Sequence, residues 1–162
     1  MDGLETVAQL CLVGAGNMGG AMLRGWLESG YPASHIRVID PSPPDAMAKA
    51  ISEAGVALHE SAEGVGDVDL LIVAVKPQIM DKVLPGLASL VTSENALLSV
   101  AAGTTIAQLA APFVSNARII RAMPNTPSQV SRGVTVCVGN AEVSAQQKEL
   151  VSNLLKAIGQ VA

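Results

Sequence analysis

Leu10-Cys11-Leu12-Val13-Gly14-Ala15-Gly16-Asn17-Met18-Gly19 is the stretch that decides the fold. Four consecutive apolar residues stopped by glycine make a short buried strand. Glycines then stand at the first, third and sixth places of the next hexapeptide, and Met18, Met22, Trp26 and Leu27 follow at helical spacing until Gly30 ends the helix. Such a glycine spacing has physical meaning only between a strand and a helix, and that is where it lies. Gly14 permits the tight turn, Gly16 lets the backbone approach a pyrophosphate, and Gly19 allows the helix to pack closely on the strand. The N–H groups around Ala15, Asn17 and Met18, at the start of the helix, would face the anion. Trp26 reads as packing between helix and sheet rather than as a ligand contact.

Outward from this turn, apolar runs alternate with helical stretches to the end of the chain. Strands are expected at 36–39, near 56–58, at 69–75, 97–101 and 118–122, with a helix through Met47 and Ile51 after the second. Strands separated by helices imply right-handed βαβ units and a parallel sheet. The expected fold class is therefore α/β: a doubly wound, mostly parallel Rossmann sheet with helices on both faces. A last helix is expected over 145–158, with Gly159 as its cap and Gln160-Val161-Ala162 opening another strand. A chain that stops inside an element reads as a fragment of a longer protein.

Composition agrees with a packed single domain and excludes several function classes. Apolar residues make up 49% of the 162 and charged residues only 15%, which argues against disorder. Aromatic residues are 2%, so the core is built of Ala, Val, Leu and Ile, and stacking platforms for single-stranded nucleic acid are missing. The net charge of −4 gives no basic footprint for DNA or RNA. No apolar run is long enough to span a membrane, and residues 1–9 lack the form of a signal peptide, which points to the cytoplasm. Cys11 and Cys137 lie in strand-like runs and read as small buried hydrophobes; with two histidines in the chain, no metal-ligand set is expected.

Four later loops join the glycine turn at the carboxyl edge of the sheet, where ligands of open α/β folds bind. Asp40 ends the second strand about 20 residues beyond Gly19, the place from which a carboxylate accepts the adenosine ribose hydroxyls and repels a 2′-phosphate. Asp before Pro is also a turn-starter, and Ser42 nearby has a hydroxyl that a phosphate accepts, so the sequence leaves NAD and NADP open. Ala74-Val75-Lys76-Pro77 offers a cation for an anionic group. Ala101-Ala102-Gly103 ends the next strand. Met123-Pro124-Asn125-Thr126-Pro127 is a stiff polar loop suited to a nicotinamide carboxamide. His35 and His59 fall at the periphery, leaving no catalytic proton donor within the chain. Hydride transfer is the cofactor's own chemistry, so this gap does not exclude a reductase.

In order, these loops resemble those of the pyrroline-5-carboxylate reductases. The resemblance rests on the residue 14–19 turn, Ala74-Val75-Lys76-Pro77, Ser99-Val100-Ala101-Ala102-Gly103 and, above all, Ile120-Arg121-Ala122-Met123-Pro124-Asn125-Thr126-Pro127. It implies hydride transfer from NAD(P)H to 1-pyrroline-5-carboxylate, giving L-proline in proline biosynthesis. It also implies that residues 1–162 are the cofactor domain of a homo-oligomer whose further helical domain dimerises, binds substrate and completes the active site. By that resemblance Asn17 and Met18 border the pyrophosphate, while Asp40, Ser42 and Ser61 face the adenosine. Val75, Lys76, Ala101, Ala102 and the loop of Met123, Pro124 and Asn125 flank the nicotinamide. Many members carry Ser or Thr where Asp40 stands and use NADPH, which again leaves the cofactor open. The alternatives are another dehydrogenase of β-hydroxyacid or coenzyme F420-linked type, and a non-catalytic nucleotide sensor.

Overall fold

Alternation along the apolar runs builds two cores, one on each side of a single sheet. The computed structural model describes residues 7–101, 103–124, 133–156 and 159–161. Its strands are β1 Leu10–Val13, β2 Ile36–Ile39, β3 Ala57–His59, β4 Leu70–Val73, β5 Ala96–Ser99, β6 Arg118–Pro124, β7 Gly133–Gly139 and β8 Gly159–Val161. They lie in the order β3-β2-β1-β4-β5-β6-β7-β8. The first six are parallel, in the doubly wound order expected of a Rossmann sheet. β7 then runs antiparallel to β6, and β8 parallel to β7.

Leu10, Leu12, Ile36, Val38, Leu70, Ile72, Leu98, Ile120 and Ala122 point to one face. There they meet α1 (Asn17–Glu28), α2 (Asp45–Ala54) and α5 (Ala145–Leu155). Cys11, Val13, Ile39, Leu71, Val73, Leu97 and Ile119 point to the other, under α3 (Met80–Val83), its flanking 3-10 turns Pro77–Ile79 and Leu84–Leu87, and α4 (Ile106–Ala110). This two-sided burial explains why the strands read as continuous apolar runs. Trp26 is 1% exposed in the first core, and its Nε1–H donates to the Leu154 carbonyl at 3.0 Å, tying α1 to α5. It is a packing residue, as the sequence indicates. Two of the helices start with capping boxes: Thr105 with Gln108 at α4, and Ser144 with Gln147 at α5.

Two sequence expectations are corrected at the chain's end. α5 finishes at Leu155, and Gly159 begins β8 instead of capping a helix that continues to 158. Pairing with β7 recruits Gly159, a tertiary contact that local propensity does not register. Among the described residues, no helix is long and apolar enough to cross a membrane.

A candidate dinucleotide site at the carboxyl edge of the sheet

Each glycine of the turn answers a different steric demand. Gly14 sits at φ +93°, a conformation that L side chains rarely adopt, and its N–H donates to the Ile39 carbonyl at 2.9 Å. A Cβ on Gly19 would stand 1.9 Å from the Gly14 carbonyl oxygen, so only glycine lets α1 approach the strand exit. A Cβ on Gly16 would meet nothing within 4 Å. That open space is what a pyrophosphate would need. Gly16 is also the N-cap of α1 and no side chain caps the helix, so its first N–H groups remain for an anion or water.

Asp40 fastens this turn to the next loop. Its Oδ2 accepts the Ala15 N–H at 2.9 Å and its Oδ1 accepts the Ser42 N–H at 2.9 Å. The Asp40 N–H in turn donates to the His59 carbonyl at 2.9 Å, so the residue is anchored from three sides. The reading of Asp40 as a free ribose acceptor is thereby sharpened. Both oxygens already hold backbone N–H groups, and each keeps lone-pair capacity for one further donor.

A cavity of about 460 Å³ opens beside the clasp. It gathers Gly14, Gly16, Asp40, Ser61, Ala74, Val75 and Lys76 from four separate loops. Ile39, Ile79, Val83 and Leu87 make its wall apolar, suited to a planar base. A second groove of about 390 Å³ lies across the turn and includes Ala15, Asn17 and Arg24. Met18 packs half-buried against the core. Ser42 reaches the site through its backbone N–H and is otherwise exposed, while Pro77 opens the 3-10 turn beyond Lys76. Ala101 is buried in the core, with its N–H donating to Ser99 Oγ at 3.2 Å, and Gly103 follows at φ +76°. Met123 is exposed on β6, and Pro124 is the last residue of that strand. Ala102 and Asn125 lie outside the described residues.

Sequence reasoning missed Glu60, which also lines the cavity. Asp40 and Glu60 follow directly on the paired residues Ile39 and His59. A signal was present: ending the third strand at 58 rather than His59 hides this neighbour. Also unforeseen is Arg121, whose buried Nε has no hydrogen-bond partner among the described residues, while its Nη2 reaches Met123 Sδ at 3.5 Å.

Among the described residues, the cysteines and His35 supply no nucleophile or acid to this edge. Burial pushes the Cys11 thiol from 9.0 up to about 12 against the opposing pull of Arg37, and burial also raises Cys137. Thiols held protonated in this way behave as small hydrophobes. His35 Nδ1 lies 2.9 Å from Gln9 Nε2 and 3.1 Å from the Val7 carbonyl, at the start of the strands and away from the glycine turn. No group of three or more His, Cys, Asp or Glu able to hold a metal occurs among the described residues.

A doubly wound sheet with a glycine turn, an uncapped helix and a carboxylate at the end of β2 defines the dinucleotide-binding domain class. The chain belongs to the family described as "NADP oxidoreductase coenzyme F420-dependent", whose model matches residues 9–103 and so spans the glycine turn, Asp40, Glu60 and Lys76. It is 38% identical over 152 residues to the pyrroline-5-carboxylate reductase of Pseudomonas aeruginosa, a match covering 93% of this chain and 55% of that enzyme. Among solved structures it superposes on a pyrroline-5-carboxylate reductase from Coxiella burnetii with a TM-score of 0.89 and 30% identity, covering 96% of this chain and 58% of that one. The Plasmodium falciparum pyrroline carboxylate reductase with NADP bound gives a TM-score of 0.80 and 25% identity, covering 96% and 56%. The chain thus spans about half the length of the relatives it matches.

Proposed function

We propose that this chain is the NAD(P)H-holding half of a pyrroline-5-carboxylate reductase that reduces 1-pyrroline-5-carboxylate to L-proline. The observation that carries this reading is the cavity that joins the uncapped α1 N-terminus, the Asp40 clasp and Lys76 within one edge. The α1 N–H groups and the space over Gly16 hold the pyrophosphate. Asp40 takes a ribose hydroxyl on its remaining lone pairs, and the apolar wall of Ile39, Ile79, Val83 and Leu87 receives the adenine. Lys76 offers a cation to an anionic group of cofactor or substrate. Ala101, Gly103, Met123 and Pro124, in and around the loops after β5 and β6, would flank the nicotinamide, as would Ala102 and Asn125 by the resemblance. When bound, the reduced nicotinamide supplies the hydride, and the chain's task is to place it.

Among the described residues of the loops after β5 and β6 no carboxylate or imidazole occurs, so further substrate groups would come from the remaining half that the relatives possess. In the full-length protein that half would also form the homo-oligomer, and the assembled enzyme would work in the cytoplasm without nucleic-acid or membrane partners. The test is fluorescence titration of the 162-residue chain with NADH and NADPH, followed by a proline-forming assay. Tight dinucleotide binding with barely measurable turnover is expected. Absence of binding overturns the cofactor reading, and turnover at the rate of a full-length reductase overturns the division of the site. The family description mentions coenzyme F420, and that reading is checked in parallel: reduction of a deazaflavin by the full-length protein, without proline formation, would favour it.

A further inference from the structure

The cavity is polarised along the sheet edge. Glu60 and Asp40 follow directly on the paired ends of β3 and β2, where His59 stands opposite Ile39 and the Asp40 N–H donates to the His59 carbonyl, and both line the cavity. Lys76 stands beyond β4, on the far side of β1, and no other Lys or Arg is among the residues that line this cavity. The adenosine ribose belongs at the carboxylate end, where Asp40 waits beside the glycine turn. A ribose that carries a 2′-phosphate brings about −1.5 to −2 charges to that end at neutral pH, whereas a free 2′-hydroxyl brings a donor.

Building on the dinucleotide reading, we propose that this pocket selects NADH over NADPH and that Glu60 is the specificity-determining residue. Asp40 is unsuited to be the sole discriminator, since it also has a structural duty. Its two oxygens hold the Ala15 and Ser42 N–H groups. Replacing Asp40 therefore unfastens the glycine turn and weakens every dinucleotide, whatever its ribose carries. Glu60 has an exposed side chain for which no hydrogen bond or ion pair occurs among the described residues, so its charge is free to act on the ligand alone.

The experiment measures Kd for NADH and for NADPH on the unaltered chain, Glu60→Gln, Glu60→Lys and Asp40→Asn, with thermal melting as a check on folding. The unaltered chain should bind NADH more tightly. Glu60→Gln should lower the ratio of the NADPH Kd to the NADH Kd about tenfold at low salt, the scale of losing one close like charge against a doubly charged phosphate. Glu60→Lys should invert the preference, and Asp40→Asn should weaken both ligands together. If both dinucleotides bind and neither Glu60 variant moves the ratio, the proposal fails while the cofactor reading stands. If the folded, unaltered chain binds neither, both fall.

Discussion

At the residue scale the three glycines of the turn look equivalent in sequence and differ in space. Gly19 is required by packing, because any side chain there meets the Gly14 carbonyl. Gly16 is not required by packing, because nothing of the protein lies within 4 Å of its Cβ position, and the proposed pyrophosphate is what would require it. Gly19→Ala is thus expected to lower stability by about 3 kcal/mol, at the upper end of overpacking costs, and to abolish NADH binding with it. Gly16→Ala should leave the melting temperature almost unmoved and still weaken NADH by an order of magnitude or more. Calorimetry and fluorescence titration on the two variants separate these effects. If Gly16→Ala binds NADH normally, the pyrophosphate does not lie over the turn. Asp40 belongs with Gly19 rather than Gly16, since its bonds to Ala15 and Ser42 make it part of the turn's construction.

At the scale of elements, the loops that feed the strands are as fixed as the strands. Asn95 is 7% exposed just before β5, and its whole amide is used: Nδ2 donates to the Leu90 carbonyl at 2.6 Å and the Val68 carbonyl at 3.1 Å, and Oδ1 accepts the Thr92 N–H at 2.9 Å. These bonds lock the entry of β5 to the segment leading into β4. Asn95→Ala should cost about 3 kcal/mol, since it leaves buried carbonyls and an N–H without partners. The site lies at the opposite ends of these strands, so NADH affinity of the folded variant should not change. Urea denaturation alongside a binding titration checks both halves of this statement, and a loss below about 1 kcal/mol would show that water replaces the amide.

Across the whole molecule, the protonated forms of buried acids are built into the core on both faces. Tyr31 donates its hydroxyl to the Ala8 carbonyl at 2.5 Å; burial, reinforced by the negative charge of Asp69, lifts its pKa from 10.0 to about 12. Cys11, on the other face of β1, is lifted by burial from 9.0 to about 12. For both groups the folded value exceeds the ordinary one, so the proton is held more tightly when folded. Their contribution to stability is complete below pH 9, declines as the unfolded chain ionises above its ordinary values, and is lost as pH rises through about 12. Denaturation midpoints should therefore fall across this alkaline window, and phenolate absorbance of Tyr31 should appear only with unfolding. Ionisation of the phenol near its ordinary value in the native chain would contradict this burial.

The first six strands along the chain, the helices after β1 and β2 and the glycine turn were legible because each depends on residues a few places apart. Apolar runs declare strands buried on both sides, and glycine declares its turn through backbone geometry alone. The direction of β7, the recruitment of Gly159 into β8, and the meeting of Asp40 with Ala15 and Glu60 were not legible in this way. These contacts join residues remote in sequence, and a single place in the register decides whether a side chain faces the cleft. Sequence alone determined that a dinucleotide turn exists and where it lies. The tertiary structure decided that Asp40 clasps it and that a second carboxylate stands beside the clasp, because only the pairing of β2 with β3 sets their ends side by side.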